Sequence, residues 1–240
     1  MPLYLDGVPK TREELAARID HTVLKPTKTL NDVLNAINDT IIYGFRSLVI
    51  PPWVLDYLDE ETKKKVRLAT VVGFPLGHDP LPVKKKLSEH AIKMGARELD
   101  VVINISAALS GRWDIIEEEV TTLTREAHEF GCKIKFIVET GLLDTQRFVK
   151  AAKIIKKAGA DYVKTNTGFG PRGVTIDDVV TLRRELGPSI GIKASGGIRT
   201  AVQALLLIAA GADIIGTSSG VEIIRGFDDA IRLLMDITTR

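Results

Sequence analysis

The chain has 240 residues, 45% hydrophobic and 27% charged, the composition of a globular protein with a sizeable core. A formal net charge of +2 makes no electrostatic case for nucleic acid or an anionic membrane as partner. The single Cys132 excludes an intrachain disulfide and a cysteine-built zinc cluster.

A short helix is expected at 11–18, ahead of a first β run at 20–24. Helices at 29–43, 52–64 and 80–94 then alternate with β runs at 46–50, 68–74 and 98–104. The alternation continues with helices at 112–130, 144–158, 175–186 and 200–210 and β runs at 133–139, 161–167, 190–195 and 213–217. A helix at 220–238 closes the chain. Gly44, Gly95, Gly131, Gly159 and Gly211 stand between a helix and the following β run, where a left-handed residue ends a helix. Lysine runs at 63–65 and 84–86 fall in predicted helices and read as solvated faces. The longest apolar stretch, 204–212, is too short to span a bilayer, and no apolar signal region opens the sequence, so a cytoplasmic location is expected.

Strict alternation requires parallel strands joined by helical crossovers. Eight such units in about 250 residues predict an α/β chain folded as a (β/α)8 TIM barrel, with the N-terminal helix as an addition. An open doubly wound sheet is the alternative, but it usually carries a G-x-G-x-x-G turn after its first strand and none follows 20–24. No linker or low-complexity segment interrupts residues 1–240, so a single barrel domain is expected.

Polar residues are misplaced in these β runs in an informative way. Lys164 lies in Tyr162-Val163-Lys164-Thr165-Asn166 and Lys193 in Ile190-Gly191-Ile192-Lys193-Ala194. Lysine is a poor strand residue and a costly one to bury. Two on consecutive strands suggest neighbouring amines in one cavity, each lowering the other's pKa, with burial lowering both further. A neutral amine can attack a carbonyl and form a Schiff base. Asp20 and Thr22, Asp100 and Asn104, Lys135 and Glu139, Asn166 and Ser195 are further unexpected polar residues, read as clustering toward the C-terminal ends of their strands. In a TIM barrel the C-terminal strand ends carry the active site. A salt-bridge network filling the barrel end is the competing reading; it accounts less well for more lysines than carboxylates.

Two glycine- and serine-rich turns follow the seventh and eighth β runs, Ser195-Gly196-Gly197-Ile198-Arg199-Thr200 and Gly216-Thr217-Ser218-Ser219-Gly220. Glycines let backbone N–H groups approach an anion, and barrels often bind phosphate at these loops. Gly168 supplies a third wall of such a site. His21, His78, His90 and His128 are scattered, so neither a metal nor a cofactor is expected. Together these features describe a metal-independent aldolase in which Lys164 attacks a carbonyl.

The segments Ile19-Asp20-His21-Thr22-Val23-Leu24-Lys25-Pro26, Val72-Gly73-Phe74-Pro75-Leu76-Gly77 and Glu98-Leu99-Asp100-Val101-Val102-Ile103-Asn104 carry a family resemblance. So do Val163-Lys164-Thr165-Asn166-Thr167-Gly168-Phe169 and Ile192-Lys193-Ala194-Ser195-Gly196-Gly197-Ile198-Arg199. In this order, over about 11–235, they resemble the deoxyribose-phosphate aldolase family of class I aldolases. The resemblance implies reversible cleavage of 2-deoxy-D-ribose 5-phosphate to D-glyceraldehyde 3-phosphate and acetaldehyde, in deoxyribonucleoside catabolism, by a homodimer or homotetramer. It implies Lys164 as Schiff-base lysine, Lys193 as the second lysine, Asp100 as acid/base working through water, and Lys135 in support of Asp100. Asp20 and Thr22 match first-strand positions near substrate, and Gly168, Gly196, Gly197, Ser218 and Ser219 match phosphate contacts. A tight apolar pocket for acetaldehyde is expected from Leu24, Val71 and Phe74.

Two departures stand out. Many relatives carry a cysteine where this chain has Leu48, so less inactivation by thiol attack is expected here. Many also follow the Gly168 position with a basic or other polar residue, where Phe169 stands. The alternatives are a Schiff-base aldolase for a different sugar phosphate and a barrel that binds a sugar phosphate without turnover.

Overall fold

The computed structural model of the protein describes residues 7–238. Eight parallel strands close into a barrel in sequence order, with β1 completing the ring against β8, which is the TIM-barrel topology. The strands are β1 (Ile19–Thr22), β2 (Ser47–Ile50), β3 (Leu68–Val72), β4 (Glu98–Val102), β5 (Lys133–Ile137), β6 (Tyr162–Lys164), β7 (Gly191–Ser195) and β8 (Ile214–Thr217). Each is three to five residues long; β1, β3, β4, β5 and β6 end before the expected β runs do, while β2, β7 and β8 only start one residue later.

Helix α1 (Arg12–Ala16) precedes the barrel, and α2 (Leu30–Tyr43) connects β1 to β2. Thr29 and Asp32 form a reciprocal capping box at the start of α2, and Gly44 ends it with φ +69°. The other four glycines of the helix-to-strand pattern also have positive φ.

Three connections differ from the sequence expectation. The segment expected as a helix at 52–64 is a 3-10 turn, Pro52–Asp56, followed by α3 (Glu60–Lys65). The carboxylate of Asp59 accepts from the Thr62 N–H at 2.8 Å and starts that helix afresh. After α4 (Leu81–Lys93) and β4 comes an unexpected helix, α5 (Ile105–Leu109), ahead of α6 (Trp113–Glu129). Asn104 caps α5, its side-chain oxygen accepting from the Ala107 N–H at 3.0 Å, so it serves the backbone rather than a site. The expected closing helix breaks at Gly226 into α10 (Gly220–Arg225) and α11 (Phe227–Thr238). Between these regions, α7 (Thr145–Lys157), α8 (Ile176–Leu186) and α9 (Ala201–Ala209) fill the remaining crossovers.

Alternation along the strands divides two environments. Leu99, Val101, Ile134 and Phe136 are fully buried in the large core that includes helix residues Val120, Leu123, Ala151 and Ile155. Glu98, Asp100 and Lys135, their alternates, are equally buried and face the barrel interior.

Lys84 corrects the reading of its lysine run. It is fully buried, not solvated, while Lys85 is ion-paired to Glu126. The Lys84 ammonium donates to the Val102 carbonyl and to Glu119 Oε2, each at 2.7 Å, tying α4 to α6 and to the end of β4. Burial pushes the Lys84 amine down and the Glu119 carboxyl up, against the attraction of the pair. Removing one partner leaves the other desolvated and unpaired, so Lys84→Ala should cost about 3–5 kcal/mol of stability in denaturant unfolding. Lys84→Met combined with Glu119→Leu should recover most of that loss; an unchanged midpoint in Lys84→Ala would show that the pair holds nothing.

Candidate active site

Pairing register sets the polar interior. Asp100 lies beside Lys135, Lys164 beside Lys193, and Asp20 between Ser47 and Gly216. A Cβ at Gly216 would meet Lys193 Cε at 2.8 Å, so the glycine of β8 makes room for the lysine of β7. The Asp100 carboxylate is the hub of the cluster. Its Oδ1 accepts from Lys135 Nζ at 2.9 Å, and its Oδ2 accepts from both Lys164 and Lys193 Nζ at 2.8 Å.

A second tier lies under this hub. Lys193 is also 2.6 Å from Asp20 Oδ2, and Lys135 is 2.5 Å from Glu98 Oε2. Arg46 grips both acids, donating to Asp20 Oδ1 at 2.6 Å and to Glu98 Oε1 at 2.7 Å. The Ser47 hydroxyl donates to Asp20 Oδ1 at 2.7 Å. Sequence reasoning missed Glu98 and Arg46. Glu98 had a signal, since it lies two residues before Asp100 on the same strand face; Arg46 lies just before β2 and had none. Glu98 adds an acid and Arg46 a cation, so the cluster of Asp20, Glu98 and Asp100 with Arg46, Lys135, Lys164 and Lys193 keeps one cation in excess.

The electrostatics separate the lysines. Burial is the largest influence on Lys164 and lowers it, Asp100 raises it, and Lys193 lowers it again, leaving the amine at about 8. Burial therefore leads, ahead of the neighbouring ammonium. Lys135 is also desolvated, but Asp100, Asp20 and Glu98 outweigh burial and raise it. Asp100 and Asp20 are held below the usual carboxylate range, because their cationic partners overcome the burial that would raise them.

Above the hub a cavity of about 570 Å³ opens at the C-terminal ends of the strands. Of the clustered ionisable groups, Lys164 lines it; Lys193, Asp100, Asp20 and Lys135 lie beneath. Thr22, Leu24, Gly168, Gly196, Gly197, Ser218 and Ser219 line it as well. The Thr22 hydroxyl donates to the Asp20 carbonyl at 3.0 Å. Val71 packs with Val49 and Ala69, with Leu24 and Phe74 against them, as a small apolar patch inside the barrel. Lys164 Nζ is 5.9 Å from the centre of the Phe74 ring. The second-strand residue of this patch is Val49, whereas Leu48 belongs to the main core.

The two glycine-rich loops face each other across the other side of the cavity. Gly168, Gly196 and Gly197 all have positive φ, which exposes backbone otherwise screened by a Cβ. The start of α9 is closed by a Thr200–Gln203 capping box, whereas Ser219, at the start of α10, makes no side-chain capping bond. The Phe169 ring, 48% exposed, stands edge-on to Phe74 with centroids 5.4 Å apart, so this side chain extends the apolar wall. Among the described residues, no group of three or more His, Cys, Asp or Glu could hold a metal ion.

Known proteins are similar to this chain in sequence and fold. Residues 15–226 match the family described as DeoC/LacD family aldolase. The chain is 45% identical over 221 residues to the deoxyribose-phosphate aldolase of Thermococcus gammatolerans, covering 90% of this chain and 98% of that one. The corresponding enzyme of Thermococcus kodakarensis is 44% identical over 222 residues, covering 91% and 99%. Among solved structures, the tetrameric deoxyribose phosphate aldolase of Aeropyrum pernix superposes with a TM-score of 0.87 at 38% identity, over 93% of this chain and 94% of that one. The chain belongs to the DeoC/LacD aldolase family.

For a member of this family the location of the one thiol has a chemical consequence. Cys132 is buried just before β5, at the barrel end opposite the cavity, and desolvation pushes its thiol up to about 12. Only the thiolate is a good nucleophile, so Cys132 should be inert in the folded protein. Incubation with the unsaturated aldehyde formed by acetaldehyde self-condensation should leave Cys132 unmodified by mass spectrometry; an adduct there that tracks activity loss would contradict this.

Proposed function

We propose that this chain is a deoxyribose-phosphate aldolase, cleaving 2-deoxy-D-ribose 5-phosphate to D-glyceraldehyde 3-phosphate and acetaldehyde through a Schiff base on Lys164. The observation that carries the assignment of the nucleophile is pairing. Lys193 has two carboxylates within 2.8 Å and Lys135 has two within 2.9 Å, whereas Lys164 has Asp100 alone and faces the cavity.

In this reading the neutral Lys164 amine adds to C1 of the open-chain sugar, and loss of water gives an iminium. A base removes the proton of the C3 hydroxyl, the C2–C3 bond breaks, and its electron pair passes into the iminium to form an enamine. Glyceraldehyde 3-phosphate leaves. Protonation at C2 and hydrolysis then release acetaldehyde and restore Lys164. Asp100, 2.8 Å from Lys164 Nζ, is the proton carrier, directly or through a water that enters with substrate. Lys193 and Lys135 hold that carboxylate ionised and fixed, with Asp20 anchoring Lys193 from below. The patch of Leu24, Val71 and Phe74 suits the two-carbon fragment. The loops bearing Gly168, Gly196, Gly197, Ser218 and Ser219 hold the phosphate, whose binding energy positions the reacting carbons. The enzyme works, in this reading, in the cytoplasm as a homo-oligomer, the tetrameric Aeropyrum pernix relative being the precedent.

Incubation with 2-deoxyribose 5-phosphate and sodium borohydride, with EDTA present, should fix a reduced adduct on Lys164 that is absent from Lys164→Ala. An adduct on Lys193 or Lys135 would reverse the roles, and tight binding without any adduct would remove the enzymatic reading. The trapping rate should rise with pH and level off above about 8, as Lys164 loses its proton. Asp100→Asn removes the group that raises the Lys164 pKa, so the midpoint should move down while turnover falls about 10²–10⁴-fold.

A further inference from the structure

Glu139 is the one non-glycine residue with positive φ among the described residues, at +51°. A glutamate in this region is strained, and such residues persist where the surroundings fix them, most often beside functional sites. It lies two residues past the end of β5, is 1% exposed, and does not line the cavity. Its carboxylate nevertheless reaches the loop that does. Oε2 accepts from the Thr167 N–H at 2.9 Å and from the Thr167 hydroxyl at 2.5 Å. The same hydroxyl oxygen accepts from the Phe169 N–H at 3.0 Å. One carboxylate oxygen thus fixes three successive residues, with Gly168 in the middle. Oε1 is buried without a hydrogen-bond partner, and a Cβ at Gly170 would come within 2.6 Å of it. The loop is therefore glycine on both sides of Phe169, once for its own turn and once for clearance over Glu139.

A carboxylate is the wrong charge to place beside a loop that receives a phosphate. Arg172 attracts it, but that guanidinium is hydrogen-bonded to Asp178 and to the Thr140 and Gly173 carbonyls, so the hydrogen bonds Glu139 makes are those to Thr167. We propose that Glu139 is a positioning residue that latches the Thr167–Gly170 loop in its phosphate-receiving shape and thereby sets the preference for phosphorylated over unphosphorylated sugars. This rests on the aldolase reading of the site and adds to it the residue that governs acceptor phosphate recognition.

The test compares 2-deoxyribose 5-phosphate with 2-deoxyribose in the full-length enzyme. Glu139→Asn tolerates the left-handed backbone but is too short to reach Thr167. It should raise KM for the phosphorylated sugar on the order of 10- to 100-fold, the penalty of a misplaced binding group, with little change in kcat/KM for 2-deoxyribose. Glu139→Gln keeps an acceptor oxygen and should retain most of the preference, and Thr167→Val should lose part of it. Glu139→Asn combined with Thr167→Val should be no worse than Glu139→Asn alone, because both remove one interaction. Borohydride trapping of acetaldehyde, which has no phosphate, reports whether Lys164 is intact in each variant and should match wild type.

Equal loss on both sugars, or an unchanged preference in Glu139→Asn, would overturn the latch. So would tighter binding of the phosphorylated sugar by Glu139→Gln, since that is the response of a mere repelling charge. Wild-type enzyme that fails to distinguish the two sugars, or turns over neither, would instead remove the functional reading on which the latch rests.

Discussion

The active-site region depends on one carboxylate in the barrel axis meeting three ammonium groups. Asp100 touches Lys135, Lys164 and Lys193 at 2.8–2.9 Å, all from different strands. None of these charges could be buried alone, because desolvating an isolated ion costs several kcal/mol. The cluster survives because it is close to neutral in formal charge. Asp20, Glu98 and Asp100 are matched by Arg46, Lys135 and Lys193, with Arg67 touching Glu98 from the exposed rim. Lys164 is the cation left over. One lysine must lose its proton to balance the cluster, and Lys164, with Asp100 as its one ion-pair partner and a depressed pKa, is the lysine least held to its charge. Burial lowers the Lys164 amine and Asp100 partly restores it, so in the proposed reading the residues that hold the cluster together also tune the nucleophile.

This view assigns different work to the lower and upper tiers. Arg46 and Glu98 sit at the N-terminal side of the barrel and touch no part of the cavity. They fix Asp20 and Lys135, which in turn leave Asp100 no freedom to turn away from Lys164. In the proposed reading Asp100 is the base beside the nucleophile, and a rigid base is worth more than a mobile one, since orientation supplied in advance lowers the cost of reaching the transition state.

Much of this was legible in the sequence because barrels separate their signals. Gly44, Gly95, Gly131, Gly159 and Gly211, each followed by an apolar run, marked five of the units, and lysine inside two runs marked the site. Glu98 was legible in principle through alternation with Asp100. What the sequence hid was long-range or local-backbone in origin. Lys84 sits in a lysine run whose other members meet solvent, and only the approach of Glu119 from α6 distinguishes it. The break at Asp59 and the extra helix after Asn104 turn on single capping side chains within segments that remain helix-like in pattern. The register that sets Gly216 against Lys193 appears only once the barrel closes.

The cavity then decides which end of a substrate goes where. Of the apolar patch of Leu24, Val71 and Phe74 on the strand 1–3 side, Leu24 lines the cavity, and the glycine loops line it on the strand 6–8 side. Lys164 projects between them, with the Phe74 ring on one flank and Gly168 four residues further along its own chain. In the proposed reading, a sugar phosphate held at the glycine loops directs its far end toward the patch, and the carbonyl at that end passes Lys164 on the way. An unanchored aldehyde of two carbons can still enter the patch and meet the same amine. The geometry therefore separates the demands of the two halves of the reaction. Recognition of the phosphorylated fragment depends on loop shape, and activation of the small fragment depends on the buried charge balance, so either can change without destroying the other.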